Sequence, residues 1–436
     1  MRLKDNSGRE LSDEESELAR RELEPFSGRK IGDIAEDYPG LLVFPQSFKK
    51  NEDKLDENEV FHLENDGKKI VVGNVMGFVG IGSARLEIAS RFEDAGGRDY
   101  FLHYLLGRVF SFSLFDWNFE TSRERALDLL ALVFPHFLKK ALRQGIYKEY
   151  RTRERNECAL RGALDAARHV RLNTPFAGSV AFRTREHAAD NALMQLVRHT
   201  IEHLRGERAF DALAHFDGET ADAVRDVIAA TPSYARRERE RVVGQNLRPL
   251  RQPYFLEYEP LRELCLRILR RDALKYGNSA DDAIHGVLFD GAWLWEEYLA
   301  TVLKGFEHPR NKTGVGKRYL FENPKSGYCY PDFHNERCVL DAKYKAKTDV
   351  DAPRQDTYQI ISYLHVLALR KGGFVVPAPD GGDFESTRRT LAGTGGELAL
   401  FRLAVPQGVA DMKTFVEKIV AAETRLRDEI LRFSET

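Results

Sequence analysis

Cysteine is scarce in this sequence. Four cysteines occur among 436 residues, at positions 158, 265, 329 and 338, and no two of them form a Cys-x-x-Cys pair. A disulfide framework is not expected in a chain of this length, and the spacing does not fit the ligands of a four-cysteine iron–sulfur site. This cysteine usage is typical of a reducing compartment, and we predict a cytoplasmic protein.

Long apolar runs are also missing. The longest candidates, such as residues 127–138, are interrupted by charge or proline, whereas a membrane-spanning helix needs about 20 apolar residues. The first five residues include two basic side chains and one acidic one and lack an apolar core, so a targeting segment is not expected. The sequence therefore predicts no membrane association.

An excess of charge of either sign is lacking too. The chain has 66 basic and 68 acidic side chains, which gives a formal net charge of -2. Any basic surface for nucleic acid must therefore be local.

A nucleotide-binding motif is absent as well: residues 314–317 are similar to the end of a phosphate loop, but position 311 is Asn and position 318 is Arg. We expect this chain to bind no nucleotide of its own.

The hydrophobic pattern predicts an α+β or α/β multidomain protein with three parts. Residues 1–120 are expected to form a β-rich domain, 121–252 a helical middle region, and 253–436 a mixed domain in which helices alternate with strands. A length of 436 residues is ample for two or three cores.

Turn and cap signals predict particular elements in the first two parts. Asn65-Asp66-Gly67 favours a hairpin between strands at 59–63 and 69–81, and the glycines near this region suggest the bends of a small barrel. Thr121 with Glu124 forms a capping-box pattern, Pro135 should kink or end the following helix, and Asp190 is a candidate cap for the next one. The arginine-rich segment 236–241 is interpreted either as a self-paired linker or as a phosphate-contacting edge.

Periodicity in the third part predicts a regular alternation of elements. The expected helices are 259–275, 283–303, 357–369 and 411–433, and the expected strands are 319–321, 328–330, 339–344, 373–377 and 398–403.

The most informative motif is Pro331-Asp332 followed by residues 339–343, Val-Leu-Asp-Ala-Lys. Residues two apart in a strand share a face, so Asp341 and Lys343 point the same way. Asp332 lies nine positions upstream and can return beside them through a hairpin. Asp332 and Asp341 offer the hard oxygen ligands that Mg²⁺ prefers, and the carbonyl oxygen of Ala342 can complete the coordination. Lys343 can orient a water or stabilise a transition state, as phosphodiester hydrolysis requires.

Neighbouring residues extend this predicted site. Gln359 and Tyr363 are spaced i, i+4 on one helix face, where Gln359 can hold the lysine or the DNA backbone. An acidic residue at 296 or 297 can complete the metal site, and Glu296 is our prediction, although neighbours on a helix diverge by about 100° and the sequence does not decide between them. The predicted DNA-binding residues are Lys345, Lys347, Arg354 and Tyr363. The three basic residues also fit a plain solvated loop.

Taken together, these motifs resemble the McrC family, the nuclease subunits of McrBC-type modification-dependent restriction systems. The resemblance rests on short motifs spread over most of the chain, which lie at 79–80, 86–88, 160–165, 190–193, 254, 294–298, 331–332, 340–345 and 356–359. The chain departs from the family where Ser90-Arg91 replaces a Pro-Lys continuation.

The resemblance implies a C-terminal PD-(D/E)xK domain of the restriction-endonuclease-like α/β/α type that uses Mg²⁺. It also implies double-stranded DNA as substrate and an McrB-type AAA+ GTPase hexamer as partner. The family stimulates NTP hydrolysis by that partner, which receives the N-terminal domain.

Three functions remain open from the sequence. The leading hypothesis is the DNA-cleaving subunit of such a complex, active when the partner licenses it. The alternatives are a non-catalytic activator and a stand-alone nuclease. The recognised modification, the cut position, the stoichiometry and the choice between GTP and ATP are not encoded in these motifs.

Overall fold

The computed structural model describes residues 1–38, 41–45, 59–82, 84–94, 96–110, 125–205, 218–250, 252, 254–274, 284–309, 316–345, 350, 354–381, 387–393 and 395–435. The chain forms two compact units. One unit combines Met1–Leu129 with Ser279–Thr436, and the other is Leu130–Asn278. The predicted three-part division at 120 and 252 stays a prediction.

The described helices, α1 to α12 in chain order, are Asp13–Leu18, Ile31–Asp37, Tyr100–Phe110, Arg125–Leu142, Ala166–Leu172, Ala192–Arg205, Gly218–Ala230, Arg239–Gln245, Tyr258–Leu274, Gly291–Val302, Arg354–Val366 and Met412–Glu435. The described strands, β1 to β18, are Arg2–Lys4, Gly8–Glu10, Leu41–Phe44, Phe61–Glu64, Lys69–Val72, Val75–Ile81, Ala84–Ala89, Glu149–Glu157, Ala163–Leu164, Val180–Ala188, Ile284–Asp290, Arg318–Glu322, Lys325–Cys329, Phe333–His334, Cys338–Ala342, Lys371–Pro379, Thr387–Thr390 and Glu397–Val405. The mixed α/β class with several sheets agrees with the multidomain prediction.

The N-terminal strands of the first unit form a five-stranded sheet in the order β1-β7-β6-β11-β3 and a three-stranded sheet in the order β2-β5-β4. The predicted hairpin is confirmed: β4 and β5 pair antiparallel, and Asn65, Asp66 and Gly67 all have positive φ. Residues 100–110 form a helix, although this part was expected to be mostly strand. Eight of its eleven residues are buried, and a short, nearly continuous apolar run does not distinguish a helix from a strand.

Strand β11 corrects the helix predicted over 283–303. Ile284–Asp290 pairs antiparallel with β6 and parallel with β3, and α10 begins only at Gly291. The carboxylate of Asp290 accepts a hydrogen bond of 2.7 Å from the backbone N–H of Trp293 and caps the helix. Asp290, a capping residue inside an apolar run, therefore marks the boundary between β11 and α10, which the apolar periodicity alone did not predict.

The C-terminal sheet of the first unit has the order β14-β15-β16-β18-β17. Strands β15, β16 and β18 are parallel, and α11 connects β15 to β16. Helix α11 packs its apolar face on this sheet through Ile360 and Leu364, against Val339, Phe374 and Leu400. Strands β14 and β17 were not predicted, whereas strands β15, β16 and β18 and the helices α11 and α12 were.

One buried carboxylate links helices of the first unit. Glu423 on α12 accepts hydrogen bonds from the hydroxyls of Tyr104 on α3, at 2.7 Å, and Tyr298 on α10, at 2.8 Å. Glu423 is only 4% exposed. This arrangement fixes the direction of α10, which carries Glu296.

The second unit contains a three-stranded sheet in the middle region that the sequence predicted to be mainly helical. Strands β8 and β10 pair antiparallel through all nine residues of each, and β9 joins β10. Charged side chains alternate along Glu149–Glu157, and such solvated strands lack the apolar periodicity on which the prediction depended. Helix α4 continues through Pro135 to Leu142, so the proline does not end it.

The cap of α6 is also corrected within the second unit. The side-chain oxygen of Asn191, and not that of Asp190, accepts the hydrogen bond from the backbone N–H of Met194, at 3.0 Å.

In the arginine-rich segment, Arg241 forms an ion pair with Glu238 at 2.5 Å, as the self-paired interpretation expects. The predicted capping box at 121 and 124 lies outside the described residues. No described helix is long and apolar enough to cross a membrane.

Candidate active site

A short antiparallel pairing brings the two predicted aspartates together. Phe333 pairs with Leu340 and His334 with Val339, so Asp332, the residue directly before β14, lies beside the last residues of β15. The backbone N–H of Ala342 donates a hydrogen bond of 2.8 Å to Oδ2 of Asp332. This contact is the hairpin return that the nine-residue spacing predicted, and it holds the Asp332 carboxylate against the strand that carries Asp341.

Lys343 lies at the centre of the site. Its Nζ is 2.9 Å from Oδ2 of Asp341, and it donates a hydrogen bond of 2.9 Å to Oε1 of Gln359. Nε2 of Gln359 in turn donates a hydrogen bond of 2.6 Å to the hydroxyl of Tyr363. The backbone N–H of Lys343 donates to the carbonyl of Val375 on β16, at 3.0 Å, which anchors the lysine to the sheet. Lysine, glutamine and tyrosine thus form one chain of hydrogen bonds behind Asp341.

Burial and like charge destabilise the ionised carboxylates. Burial raises the pKa of Asp332 well above its ordinary value, and the neighbouring Glu296 and Asp341 carboxylates raise it further. Burial also raises the pKa of Asp341, against the opposing effect of Lys343. The pKa of Lys343 is lowered by burial, but Asp341 and Asp332 outweigh this effect and hold it above the ordinary value. The lysine is therefore cationic, whereas burial and mutual repulsion favour the protonated form of these carboxyl groups until a further cation lies beside them.

A cavity of about 490 Å³ opens onto these groups. Its walls include Asp332, Asp341, Lys343 and Gln359, and Glu296 also lines it. Glu297 points elsewhere: its Oε1 lies 3.9 Å from Nε2 of His308. The geometry therefore places Glu296 at the site, the choice that the sequence left open.

The oxygen atoms at this site fit a hard cation. Oδ1 of Asp341 is buried and has no hydrogen-bond partner among the described residues, which is costly for a carboxylate unless a cation lies nearby. Within the described ranges, no three His, Cys, Asp or Glu side chains lie close enough together to form a metal cage by themselves. A bound ion would therefore need the two aspartates, the carbonyl of Ala342 and Glu296, which lines the same cavity.

The predicted DNA-binding residues have different surroundings. Nζ of Lys345 contacts both carboxylate oxygens of Asp356, at 2.9 and 2.7 Å, and Arg354 is exposed. Lys347 lies outside the described residues. Tyr363 is only 1% exposed and is hydrogen-bonded to Gln359, so we revise its role from DNA contact to positioning of the glutamine.

A buried cluster behind the site was missed from the sequence. The guanidinium of Arg91 lies 4.6 Å from the ring centroid of Tyr344, the residue after Lys343, and forms an ion pair of 2.5 Å with the buried Asp5. Asn74 lies 3.3 Å from Arg91 and lines the cavity. The N-terminal sheet therefore supports the strand that carries Asp341 and Lys343. The one available signal was Ser90-Arg91, where the chain departs from the family pattern.

The fold and the site define a class: a multi-sheet α/β protein with two carboxylates and a lysine at the end of a parallel strand. The family model described as "McrBC 5-methylcytosine restriction system component" matches residues 70–377, more than half of the sequence. The chain belongs to this family, as the motif resemblance predicted.

Solved structures are similar to the chain as well. A chain of the refined half-complex from the tetradecameric assembly of Thermococcus gammatolerans McrB AAA+ hexamers with bound McrC is 15% identical, with a TM-score of 0.51, and the match covers 99% of both chains. A chain of the Thermococcus gammatolerans McrBC complex is 16% identical over 70% of this chain and 86% of its own, with a TM-score of 0.35. The first likeness supports the fold. Among curated proteins, none matches the chain.

Proposed function

We propose that this chain is the Mg²⁺-dependent DNA endonuclease subunit of a McrBC-like, modification-dependent restriction complex, and that residues 253–436 form a PD-(D/E)xK domain. The observation that carries the proposal is the convergence of Asp332, Asp341 and Lys343 on one cavity, with a buried Asp341 oxygen that has no hydrogen-bond partner among the described residues. Membership of the family supports the restriction context.

The proposed chemistry is hydrolysis of a DNA phosphodiester. When bound, Mg²⁺ supplies charge neutralisation at the attacked phosphate and lowers the pKa of a water molecule. Asp332, Asp341, the carbonyl of Ala342 and Glu296 are the groups that would hold it. Lys343 remains cationic beside Asp341, so its task is to stabilise developing negative charge and orient the attacking water, not to remove a proton.

Gln359 has a positioning task in this proposal. A lysine side chain has four rotatable bonds, and fixing its ammonium within hydrogen-bond distance of the reacting group requires a second contact. Gln359 supplies that contact through Oε1 while its Nε2 is tied to Tyr363. The pair thus restricts Lys343 to the side of the cavity where Asp341 lies.

The proposed partner is an AAA+ NTPase hexamer of the McrB type. Family membership and the McrB hexamers in the similar structure support it. The sequence itself has no complete phosphate-loop motif, which agrees with an NTPase on a separate chain. In this proposal the chain stimulates NTP hydrolysis by the partner, and the partner licenses the cut.

The test uses the full chain with its NTPase partner, Mg²⁺ and modified plasmid DNA. Asp341→Ala and Asp332→Ala should abolish cutting, and Lys343→Ala should slow it by about 10²–10³-fold, while all three keep the stimulation of NTP hydrolysis. Glu417→Ala, which changes an exposed carboxylate on α12, is the matched control and should cut normally.

Three outcomes would contradict parts of the proposal. Normal cutting by Asp341→Ala would show that the site is misassigned. Cutting by the purified chain without a partner would favour the stand-alone nuclease. A wild-type complex that hydrolyses NTP but never cuts DNA would favour the non-catalytic activator.

A further inference from the structure

The hairpin formed by β12 and β13 presents three large aromatic side chains to solvent. Tyr319, Phe321 and Tyr328 are 42%, 62% and 41% exposed. Tyr319 is directly opposite Tyr328 in the antiparallel pairing, and Phe321 lies two residues from Tyr319. Cross-strand partners and alternate residues share one face of a hairpin. The three rings therefore form a single exposed aromatic face.

Such a face is unfavourable unless it has a ligand. Burial of a large apolar side chain is favourable, and this hairpin leaves 41–62% of each of three such side chains exposed to water. Scattered exposed apolar residues are normal, but adjoining ones on one face mark an interaction surface.

Positive charge borders the aromatic face. Nζ of Lys317 lies 3.9 Å from the ring centroid of Tyr328, and Nζ of Lys325 lies 5.8 Å from that of Tyr319. The two strands also contain Arg318, against the single carboxylate of Glu322. Aromatic rings for the bases and ammonium groups for the phosphates are the combination with which proteins bind single-stranded nucleic acid.

Tyr328 links the aromatic face to the candidate active site, because it lines the same cavity as Asp332 and Asp341. Leu320 and Cys329, on the opposite face of the hairpin, line that cavity as well. A strand whose bases stack on the hairpin would therefore present its backbone to the cavity that holds the carboxylates. In a duplex the base faces are covered by their neighbours, so a ring can stack only on a base that has left the helix.

We infer that the β12–β13 hairpin is a stacking platform for unpaired nucleobases of the DNA strand being cut, next to the scissile phosphate. The inference rests on the proposed function and deepens it, because it makes a locally unstacked strand, and not an intact duplex, the form that reaches the carboxylates. Tyr319, Phe321 and Tyr328 are the stacking side chains, and Lys317 and Lys325 contact the adjoining phosphates.

The test is binding of a fluorescently labelled oligothymidine to the full chain in a chelating buffer, so that cutting does not interfere. Alanine at Tyr319, Phe321 or Tyr328 should weaken binding by about 5–150-fold per ring. Phe321→Trp should restore or exceed wild-type affinity. Phe176→Ala, which removes a ring that is 66% exposed in the other unit, is the control and should bind as the wild type does.

A second measurement separates stacking from general loss of structure. Tyrosine fluorescence of the wild type should be quenched by the oligothymidine, and Tyr319→Phe with Tyr328→Phe should remove this quenching while keeping affinity. Circular dichroism and thermal unfolding of each variant should match those of the wild type, because the hairpin strands are exposed.

The outcomes distinguish this inference from the proposed function. If the alanine variants bind oligothymidine as tightly as the wild type, or if the wild type does not bind it, the inference is overturned. If they bind DNA normally but no longer associate with the NTPase partner, the face docks protein and the inference is again overturned. The Asp341→Ala variant should no longer cut DNA but should bind oligothymidine normally. If this variant still cuts DNA, the proposed function is wrong. Weaker oligothymidine binding by the hairpin variants would still support the stacking platform in that case.

Discussion

At the scale of single residues, spacing along the sequence predicted the members of the site but not what holds them in place. Asp332, Asp341 and Lys343 followed from strand phasing, and Gln359 from helical spacing. The contacts of Arg91 with Tyr344 and Asp5 did not, because they join residues that are 86 or more positions apart. A local sequence pattern does not predict which residues of another sheet will contact a given side chain.

The hydroxyl of Tyr363 leads to a prediction for Gln359. Tyr363→Phe removes one hydrogen bond to the glutamine while keeping the buried ring. A hydrogen bond contributes about 0.5–1.5 kcal/mol, so we expect the rate of DNA cutting by the complex to fall about 2–10-fold, with NTP hydrolysis unchanged. The measurement is single-turnover cutting of modified DNA.

The same helix offers a matched control for this variant. Tyr358→Phe removes a hydroxyl from a side chain that is 63% exposed and should cut at the wild-type rate. Equal losses in Tyr363→Phe and Tyr358→Phe would mean that the hydrogen bond to Gln359 does not position Lys343.

At the scale of elements, the accuracy of sequence-based prediction followed the strength of local signals. The β4–β5 hairpin was predicted because Asn65-Asp66-Gly67 encodes its turn, and the C-terminal helices because their apolar period is long. Strand β11 was assigned to a helix because its apolar run is short and continues into α10. Strands β8 and β10 were missed because their charged side chains stabilise each other across the pairing, which a single segment does not reveal.

The β6–β11 pairing has a requirement for glycine that can be tested. Gly77 has a φ of +131°, and a Cβ atom there would overlap the carbonyl oxygen of Val287 on β11. Gly77→Ala should therefore reduce the free energy of unfolding by about 1–3 kcal/mol from backbone strain alone, with more from the overlap. Thermal unfolding measures this effect.

A glycine in a helix provides the opposite expectation. Gly244 is exposed on α8, and a Cβ atom there would meet nothing within 4 Å. Gly244→Ala should stabilise the protein by about 0.5–1 kcal/mol. A Gly77→Ala variant as stable as the wild type would contradict the close approach of β6 and β11.

At the scale of the whole molecule, two histidines should make one of the compact units sensitive to acid. Burial, together with nearby lysines and arginines, lowers the pKa of His136 to about 4, and burial with neighbouring arginines lowers that of His199 to about 4. Both residues belong to the unit Leu130–Asn278. An unfolded histidine has its ordinary pKa near 6.5, so the unfolded state binds protons first as the pH falls.

We therefore predict that this unit loses stability between pH 6.5 and pH 4, and that its stability is independent of these histidines above pH 7. Hydrogen exchange, corrected for the intrinsic effect of pH, should show faster opening of α4 and α6 at pH 5 than at pH 7. His136→Gln with His199→Gln should remove most of this difference. An unchanged pH response in that double variant would assign the acid sensitivity to other groups.

The position of β11 in the N-terminal sheet has a consequence for how the protein is made. Strands β3 and β6 are neighbours of β11 in the sheet but end 240 and 203 residues before it begins in the chain. At a ribosomal rate of about 5–20 residues per second, the early strands wait roughly 10–50 s for the strand that joins them. During that interval β3 lacks the strand with which it pairs, and β6 can pair only with β7, so edges of both segments that are buried in the finished protein are open to other chains. Chaperone binding to the nascent chain, and the time that synthesis through residue 290 takes, should therefore decide how much native protein a cell obtains.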